Sequence, residues 1–134
     1  MHTHHWLPAL GLAFMALFNT AFAQADDATF LRSPEWAQPV GDRYNLHQMT
    51  PTLYRSALPD SNAAPLLEQL KIGTVINFLP EPDSNWLKAP GIRQVQLSYR
   101  TNHVDDSDVL AALRAIKEAE ADGPVLMHCK HGSD

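Results

Sequence analysis

The residues best suited to chemistry lie in one short stretch, where the only cysteine of the chain follows an apolar run. Residues 124–127 have the composition of a short buried strand. The strand is followed by His128, Cys129, Lys130, His131 and Gly132. A thiol placed between a buried strand and a glycine-containing turn is typical of a nucleophile held over backbone N–H groups, which stabilise a thiolate and bind phosphate oxygens. We therefore predict that Cys129 is a nucleophile in a phosphate-binding loop.

Residues 128–134 resemble the signature loop of the cysteine-dependent protein tyrosine and dual-specificity phosphatases. That signature is a His-Cys pair, five further residues and an arginine. The resemblance implies that Cys129 is the nucleophile and that His128 orients the loop by hydrogen bonding. It implies that the phosphoryl group is bound by the loop residues Lys130, His131, Gly132, Ser133 and Asp134. It also implies a fragment that stops one residue before the arginine, lacks the helices that follow the loop, and is inactive as it stands.

A phosphatase of this kind also needs a proton donor for the leaving group. In relatives the donor is an aspartate on the loop before the helix that leads to the Cys-bearing strand, which is here residues 99–106. We predict Asp105 as the donor, with Asp106 as the alternative; Asp105 has a second interpretation as a helix cap. The same resemblance places the donor of secreted relatives near Asn102, and an Asn cannot give up a proton in this way. A loop without an effective proton donor would favour phosphotyrosine as the substrate, because a phenolic leaving group depends less on protonation.

The length and composition of the chain indicate one small globular domain. The chain has 134 residues, of which 45% are hydrophobic and 19% charged, and its net charge is −5. Because there is no basic run, nucleic acid is not an expected partner. One cysteine cannot form an internal disulfide, and the seven histidines have no metal-ligand spacing. Neither a metal nor another cofactor is therefore expected.

Residues 1–23 have the pattern of a secretory signal peptide. They include no Asp, Glu, Lys or Arg, and the apolar core at 7–18 is too short to span a bilayer as a helix. The sequence Ala21-Phe22-Ala23 is a suitable cleavage site. An uncleaved membrane anchor and an ordinary buried helix are the alternatives. We predict a periplasmic or secreted mature chain, residues 24–134, that has no stable association with the membrane.

Hydrophobic periodicity between the leader and the cysteine loop predicts alternating strands and helices. The predicted strands are a pair within 44–58 and single strands at 74–79, 91–98 and 124–127; the predicted helices are 61–70, capped by Ser61 or Asn62, and 107–121. Residues 80–85 contain two prolines and are predicted to be irregular, with a short helix that begins at Trp86. This order predicts an α/β fold with crossover helices on a mainly parallel central sheet.

The predicted helix 107–121 has the strongest amphipathic pattern of the chain. Val109, Ala112, Leu113 and Ile116 share one face, which should pack on the sheet. Asp105 is placed to cap its first turn. This helix leads directly into the Cys-bearing strand.

Two upstream phrases resemble parts of the same phosphatase family. Residues 53–59 are similar to the YRS-x-x-P element of atypical dual-specificity phosphatases, in which we expect Arg55 to be a structural ion-pair partner rather than to bind phosphate. The LPEP phrase at 79–82 is similar to a branch of small phosphatases that includes enzymes acting on inositol phosphates.

The resemblance implies a phosphatase that acts on phosphotyrosine in a phosphorylated protein substrate through a cysteinyl-phosphate intermediate. Phosphoserine and phosphothreonine are further candidate substrates. An inositol phosphate phosphatase with the same mechanism is the first alternative. The basic rim that such a substrate needs is modest here, with Arg100, Lys130 and His131. A phosphate-binding pseudophosphatase is the second alternative. A thiol redox protein is disfavoured because there is no second cysteine.

Overall fold

The structure is a computed structural model that describes residues 36–100 and 102–132. The predicted signal peptide, Ser133 and Asp134 lie outside the described residues. Within the described ranges, no helix is long and apolar enough to cross a membrane.

Six strands in the described part of the chain form one mixed sheet. The strands are β1 (Gln38–Pro39), β2 (His47–Thr50), β3 (Leu53–Ser56), β4 (Thr74–Asn77), β5 (Arg93–Gln96) and β6 (Val125–His128). Their spatial order is β1-β2-β3-β6-β4-β5. The first three are antiparallel neighbours, whereas β3, β6, β4 and β5 run parallel. The predicted α/β fold with a mainly parallel sheet is therefore confirmed, and the predicted strand pair corresponds to β2 and β3.

Two helices cross over the parallel strands. They are α1 (Ala64–Gln69) and α2 (Asp106–Ala119), with short 3₁₀ turns at Ser61–Ala63, Asp83–Asn85 and Glu120–Asp122. Side chains alternate along the strands, so Val75 and Leu126 pack with Leu67 of α1, whereas Ile76 and Val125 pack with Ala119 of α2. Each helix thus covers apolar side chains of one sheet face.

Strand β6 lies in the middle of the parallel region, and its last residue is the one before the cysteine. His128 is in register with Ser56 of β3 on one side and with Asn77 of β4 on the other. All three are buried polar residues at the carboxyl ends of their strands. In open parallel sheets, ligands bind at this edge. The fold therefore places Cys129 where a site is expected.

Several local expectations need correction. The cap of the first helical segment is Asp60, which accepts a hydrogen bond from the Asn62 N–H at 2.8 Å, and not Ser61 or Asn62. The proline-rich stretch is not wholly irregular, because Pro82 precedes the 3₁₀ turn Asp83–Asn85, and Trp86 ends that turn rather than beginning a helix. A proline before the first turn has the extended backbone that such a start requires.

The amphipathic face of α2 is also displaced from the predicted one. Ile116 packs on the sheet with Ala119, but Val109 and Leu113 are 50% and 59% exposed. Only the second half of the helix therefore lies against the sheet. The exposed half lies beside the candidate site.

Candidate active site

Cys129 lies directly after β6 and is half-buried. The backbone N–H of Gly132 donates a hydrogen bond to its Sγ atom at 3.1 Å. An N–H group aimed at sulfur stabilises the thiolate relative to the thiol, because the charged form is the stronger acceptor. The geometry thus brings the predicted nucleophile and the predicted glycine together.

The loop after Cys129 is anchored from outside through three successive carbonyl groups. Leu58 N donates to the carbonyl oxygen of Lys130 at 3.3 Å, Asn45 Nδ2 donates to that of His131 at 3.1 Å, and Arg55 Nη1 donates to that of Gly132. In a trans peptide the N–H points away from the carbonyl of the same unit. The N–H groups of His131 and Gly132 therefore point to the opposite side, and that of Gly132 reaches Cys129. This is the arrangement of an anion-binding nest.

Gly132 is required by the geometry of the loop. Its φ of +80° lies in the left-handed region, and a Cβ atom there would come within 2.5 Å of Ala57 N and 2.6 Å of the Ser56 carbonyl carbon. Those are backbone atoms, which cannot move away from a new Cβ atom as the end of a flexible side chain could. The loop packs this closely against β3 only because the residue has no side chain.

The sequence predicted that Arg55 is a structural ion-pair partner. Its role is structural, but the partner found among the described residues is the carbonyl oxygen of Gly132 rather than a carboxylate. Asn45, by contrast, was missed by the sequence analysis. Its φ of 47° and that of Tyr44, 60°, place two consecutive residues in the left-handed region. Asn tolerates this conformation better than most residues, which is the one sequence signal that could have singled it out.

His128 is fully buried behind the loop. Its Nε2 atom is 2.8 Å from Oδ1 of Asp83, and its Nδ1 atom is 3.4 Å from the carbonyl oxygen of Cys129. The expected orienting role therefore has a partner, Asp83, that the sequence analysis did not single out. No local pattern links Asp83 to a residue 45 positions away.

A cavity of about 710 Å³ opens beside Cys129. Its walls are mostly apolar and are formed by Phe78, Leu79, Tyr99, Val104, Val109 and Leu113. The rings of Phe78 and Tyr99 are stacked with centroids 5.7 Å apart. The polar lining consists of Arg100, Asn102, Cys129, Lys130 and His131. Such a cavity can hold an aromatic group next to the sulfur.

The candidate proton donors occupy different places. Asn102 lines the cavity, whereas Asp105 and Asp106 are not among its lining residues. Asp105 caps α2 and accepts hydrogen bonds from the Ser107 hydroxyl at 2.6 Å and from the Asp108 N–H at 3.1 Å. These hydrogen bonds, first that of Ser107, hold the pKa of Asp105 below its ordinary value of 3.8. The capping interpretation is confirmed, and the role of Asp105 as an acid stays a prediction.

Among the residues that the structure describes, no group of three or more His, Cys, Asp or Glu side chains is arranged to hold a metal ion.

Known proteins similar to this chain are phosphatases. The dual specificity protein phosphatase TpbA of Pseudomonas aeruginosa (strain UCBPP-PA14) is 48% identical over 130 residues, which are 96% of this chain and 60% of that protein. A crystal structure of a Cys-to-Ser variant of P. aeruginosa TpbA in complex with pTyr superposes with a TM-score of 0.74 at 47% identity, over 77% of this chain and 64% of that one.

A more distant relative is the inositol diphosphatase DSP1 of Oryza sativa subsp. japonica, which is 32% identical over 89 residues, covering 60% of this chain and 40% of that protein. No protein-family profile matches the chain. The chain spans 60% of the length of the TpbA proteins that it matches.

Proposed function

Since the chain belongs to the cysteine-dependent protein tyrosine and dual-specificity phosphatase family, we propose that the whole protein hydrolyses phosphotyrosine in protein substrates through a cysteinyl-phosphate intermediate. The observation that carries the proposal is the hydrogen bond from the Gly132 N–H to Cys129 Sγ at 3.1 Å. Three anchored carbonyl groups hold the backbone of this loop so that its N–H groups lie on the opposite side, where the Gly132 N–H reaches the sulfur. A phosphoryl group can then be bound by the loop N–H groups while the thiolate lies below phosphorus.

The proposed reaction has two displacements at phosphorus. In the first, the Cys129 thiolate forms an S–P bond, the P–O bond to the tyrosine breaks, and the phenolate oxygen takes a proton from the donor, for which Asp105 is proposed. In the second, water attacks phosphorus and gives a proton to the Asp105 carboxylate, the S–P bond breaks, and phosphate leaves with the thiolate and the protonated donor regenerated. Because Asp105 is held at the helix cap with a lowered pKa, its assistance to the leaving group is weak.

Weak assistance and an apolar cavity both favour an aryl phosphate. A phenolate leaves more readily than an alkoxide, so it depends less on protonation. The stacked rings of Phe78 and Tyr99 offer apolar surface to the phenyl ring of phosphotyrosine. We therefore propose that phosphotyrosine is turned over faster than phosphoserine or phosphothreonine.

An inositol phosphate is the second candidate substrate. It is favoured by the three basic residues of the cavity, Arg100, Lys130 and His131, and by the similarity to the rice inositol diphosphatase. The apolar walls argue against it, because an inositol ring with several phosphates has no apolar face to bury.

The proposal is tested by phosphate release from three substrates: a phosphotyrosine peptide, the matched phosphoserine peptide and an inositol pyrophosphate. We expect the full-length protein to have its highest kcat/KM on the phosphotyrosine peptide, and we expect Cys129→Ser to abolish that activity. Preference for the inositol pyrophosphate would select the second candidate. No release from any of the three would support a pseudophosphatase.

We further propose that residues 1–23 are a cleaved signal peptide and that the mature protein is periplasmic or secreted. The support is the apolar stretch that ends in Ala21-Phe22-Ala23. Sequencing the N-terminus of the protein recovered from the periplasmic fraction tests this. We expect Gln24 as its first residue; an intact Met1 in the cytoplasmic fraction would contradict it.

A further inference from the structure

Asp83 and His128 form a buried pair directly behind the candidate nucleophile. Oδ1 of Asp83 is 2.8 Å from Nε2 of His128, and the two side chains are 2% and 0% exposed. Trp86 Nε1 donates a hydrogen bond to the same oxygen at 2.9 Å, and the Trp86 ring meets the imidazole edge-on with centroids 6.1 Å apart. The proposed reaction assigns no role to Asp83.

The loop that carries Asp83 is folded back by Asn77 at the end of β4. Asn77 Nδ2 donates to the carbonyl oxygen of Glu81 at 2.7 Å, and Asn77 Oδ1 accepts from the Leu79 N–H at 2.7 Å. Asn77 is buried and is the register partner of His128. The amide therefore fixes the loop so that Asp83, the first residue of its 3₁₀ turn, lies over the end of β6.

The burial of Asp83 is costly. The transfer of a carboxyl group to the interior is unfavourable unless its oxygens are paired. Both donors, Trp86 and His128, meet Oδ1, whereas Oδ2 is buried and makes no hydrogen bond with the described residues. A buried polar atom without a partner is rare in folded proteins. An apolar side chain could fill the space but would leave Nε2 of His128 and Nε1 of Trp86 without their acceptor. Packing alone therefore does not explain an aspartate here.

The hydrogen bonds determine which nitrogen of His128 carries the hydrogen. The Trp86 N–H can only donate, so Oδ1 of Asp83 accepts from it. A carboxylate has no hydrogen to donate, so Nε2 of His128 is the donor in the second bond to this oxygen. Nδ1 is left facing the Cys129 carbonyl oxygen at 3.4 Å. The Asp83 hydrogen bond thereby holds the imidazole with its hydrogen on Nε2 and in one ring orientation.

We propose that Asp83 is a positioning residue for Cys129 and acts through His128. By fixing the residue at which β6 ends, it sets the direction in which the chain enters the loop, and so the position of Sγ below the phosphoryl group. This inference rests on the proposed function. It predicts that the loss of Asp83 affects the chemical step more than substrate binding, because the binding N–H groups belong to the following residues.

The test is Asp83→Asn in the full-length protein, with Trp86→Phe as the matched control. The Asn side chain has the same size, but its amide can present either oxygen or NH₂ to Nε2, so it no longer fixes the tautomer. Trp86→Phe removes the other hydrogen bond to Oδ1 and keeps the Asp83–His128 pair. Steady-state kinetics on a phosphotyrosine peptide are measured well below the thermal unfolding midpoint of each variant.

We expect Asp83→Asn to lower kcat by about 100-fold, as a small misplacement of a reacting atom can do, with little change in KM. Trp86→Phe should lower kcat much less. Unchanged kcat in Asp83→Asn would overturn the inference, as would equal losses in the two variants, which would indicate a packing role for the whole cluster.

The alkylation rate of Cys129 by iodoacetamide gives a second readout that does not depend on turnover. We expect slower alkylation in Asp83→Asn than in the wild-type protein and in Trp86→Phe. If the wild-type protein releases no phosphate, the proposed function fails while this measurement still decides the inference. Equal alkylation rates in all three proteins would contradict it.

Discussion

The guanidinium group of Arg55 donates a hydrogen bond to the carbonyl oxygen of Gly132, which lies 77 positions further along the chain. The bond joins β3 to the loop that holds Cys129. It turns the Gly132 carbonyl outward, as Asn45 does for the preceding residue. The upstream hairpin is therefore a part of the candidate site, because it determines on which side of the loop the N–H groups lie.

Replacing Arg55 by Met keeps an apolar stem and removes the donor. Because a hydrogen bond from a charged group contributes about 1.5–3 kcal/mol, we expect the free energy of unfolding to fall by that order, with a higher KM for a phosphotyrosine peptide. The control is Arg93→Met, which breaks an exposed ion pair to Asp122 at 3.6 Å and a long hydrogen bond to the Thr74 hydroxyl at 3.4 Å. It should cost no more than about 1 kcal/mol. Urea unfolding and steady-state kinetics measure both. Equal effects of the two changes would argue against the anchoring role.

Gly132→Ala tests the close approach of the loop to β3. Gly41→Ala is the matched control, because Gly41 has a similar φ of +74° but nothing within 4 Å of the new Cβ. The left-handed conformation alone costs an L-residue about 1–2 kcal/mol, which is the loss expected for Gly41→Ala. Gly132→Ala meets backbone atoms as well, so we expect a larger loss of stability and no measurable turnover. Active Gly132→Ala protein would contradict the geometry described for the loop.

The sequence was sufficient to predict the order of strands and helices and the position of Cys129, because both follow from local patterns. Apolar runs such as residues 124–127 specify buried strands, and the cysteine follows the last of them. The position of Arg55 in a strand also indicated a structural role. The contact that Arg55 makes could not be predicted, because its partner, the Gly132 carbonyl group, is remote in the sequence.

Contacts over long separations account for what the sequence analysis missed. Asp83 lies in a proline-rich stretch that periodicity marks as irregular, and only the tertiary fold brings it to His128. The face of α2 was misplaced for a similar reason: Val109 and Leu113 fit an amphipathic stripe, but they line the cavity beside Cys129. A hydrophobic pattern does not distinguish a wall of a site from a core.

Asp105→Asn separates the proton donor from the helix cap, because Asn caps a helix as well as Asp does. Because the assistance of Asp105 is weak, we expect a loss of kcat/KM on a phosphoserine peptide that is smaller than the roughly 100-fold typical of a general acid. The loss on nitrophenyl phosphate should be smaller still, because its leaving group needs little protonation. Asp106→Asn is the control, and it should change neither. A loss of the same size on both substrates, or on neither, would count against Asp105 as the acid.

Asn102→Asp places a carboxyl group in the cavity that holds Cys129. If protonation of the leaving group limits the rate, this change should raise the turnover of the phosphoserine peptide relative to that of nitrophenyl phosphate. The ratio of the two kcat/KM values is the measurement. An unchanged ratio would show that position 102 does not face the leaving group.

The hydrogen bond from the Tyr44 hydroxyl to Asp60 Oδ1, 2.6 Å long, should make the free energy of unfolding depend on pH at both acid and alkaline pH. It is the main reason why the pKa of Asp60 is lowered from 3.8. Burial, and then the bond to Asp60, raises the pKa of Tyr44 from 10.0. The stabilisation by Asp60 is thus present above pH 3.8 and is lost as the pH falls through its lowered pKa. That of Tyr44 is present below pH 10.0 and is lost as the pH rises through its raised pKa.

Urea unfolding of the wild-type protein and Tyr44→Phe across this pH range is the measurement. We expect the wild-type protein to be the more stable near neutrality, with a difference that shrinks below pH 3.8 and above pH 10.0. A difference that is constant with pH would show that the hydroxyl contributes packing alone.

The most direct measurement of the central claim is to trap the phosphoryl group on the nucleophile. The full-length protein is mixed with a phosphotyrosine peptide, quenched in acid within the first turnover, digested and examined by mass spectrometry. The account predicts one phosphoryl group on the peptide that contains Cys129, and none when Cys129 is replaced by Ser. Phosphate release in the Cys129→Ser protein, or a phosphoryl group trapped on any other residue, would contradict it.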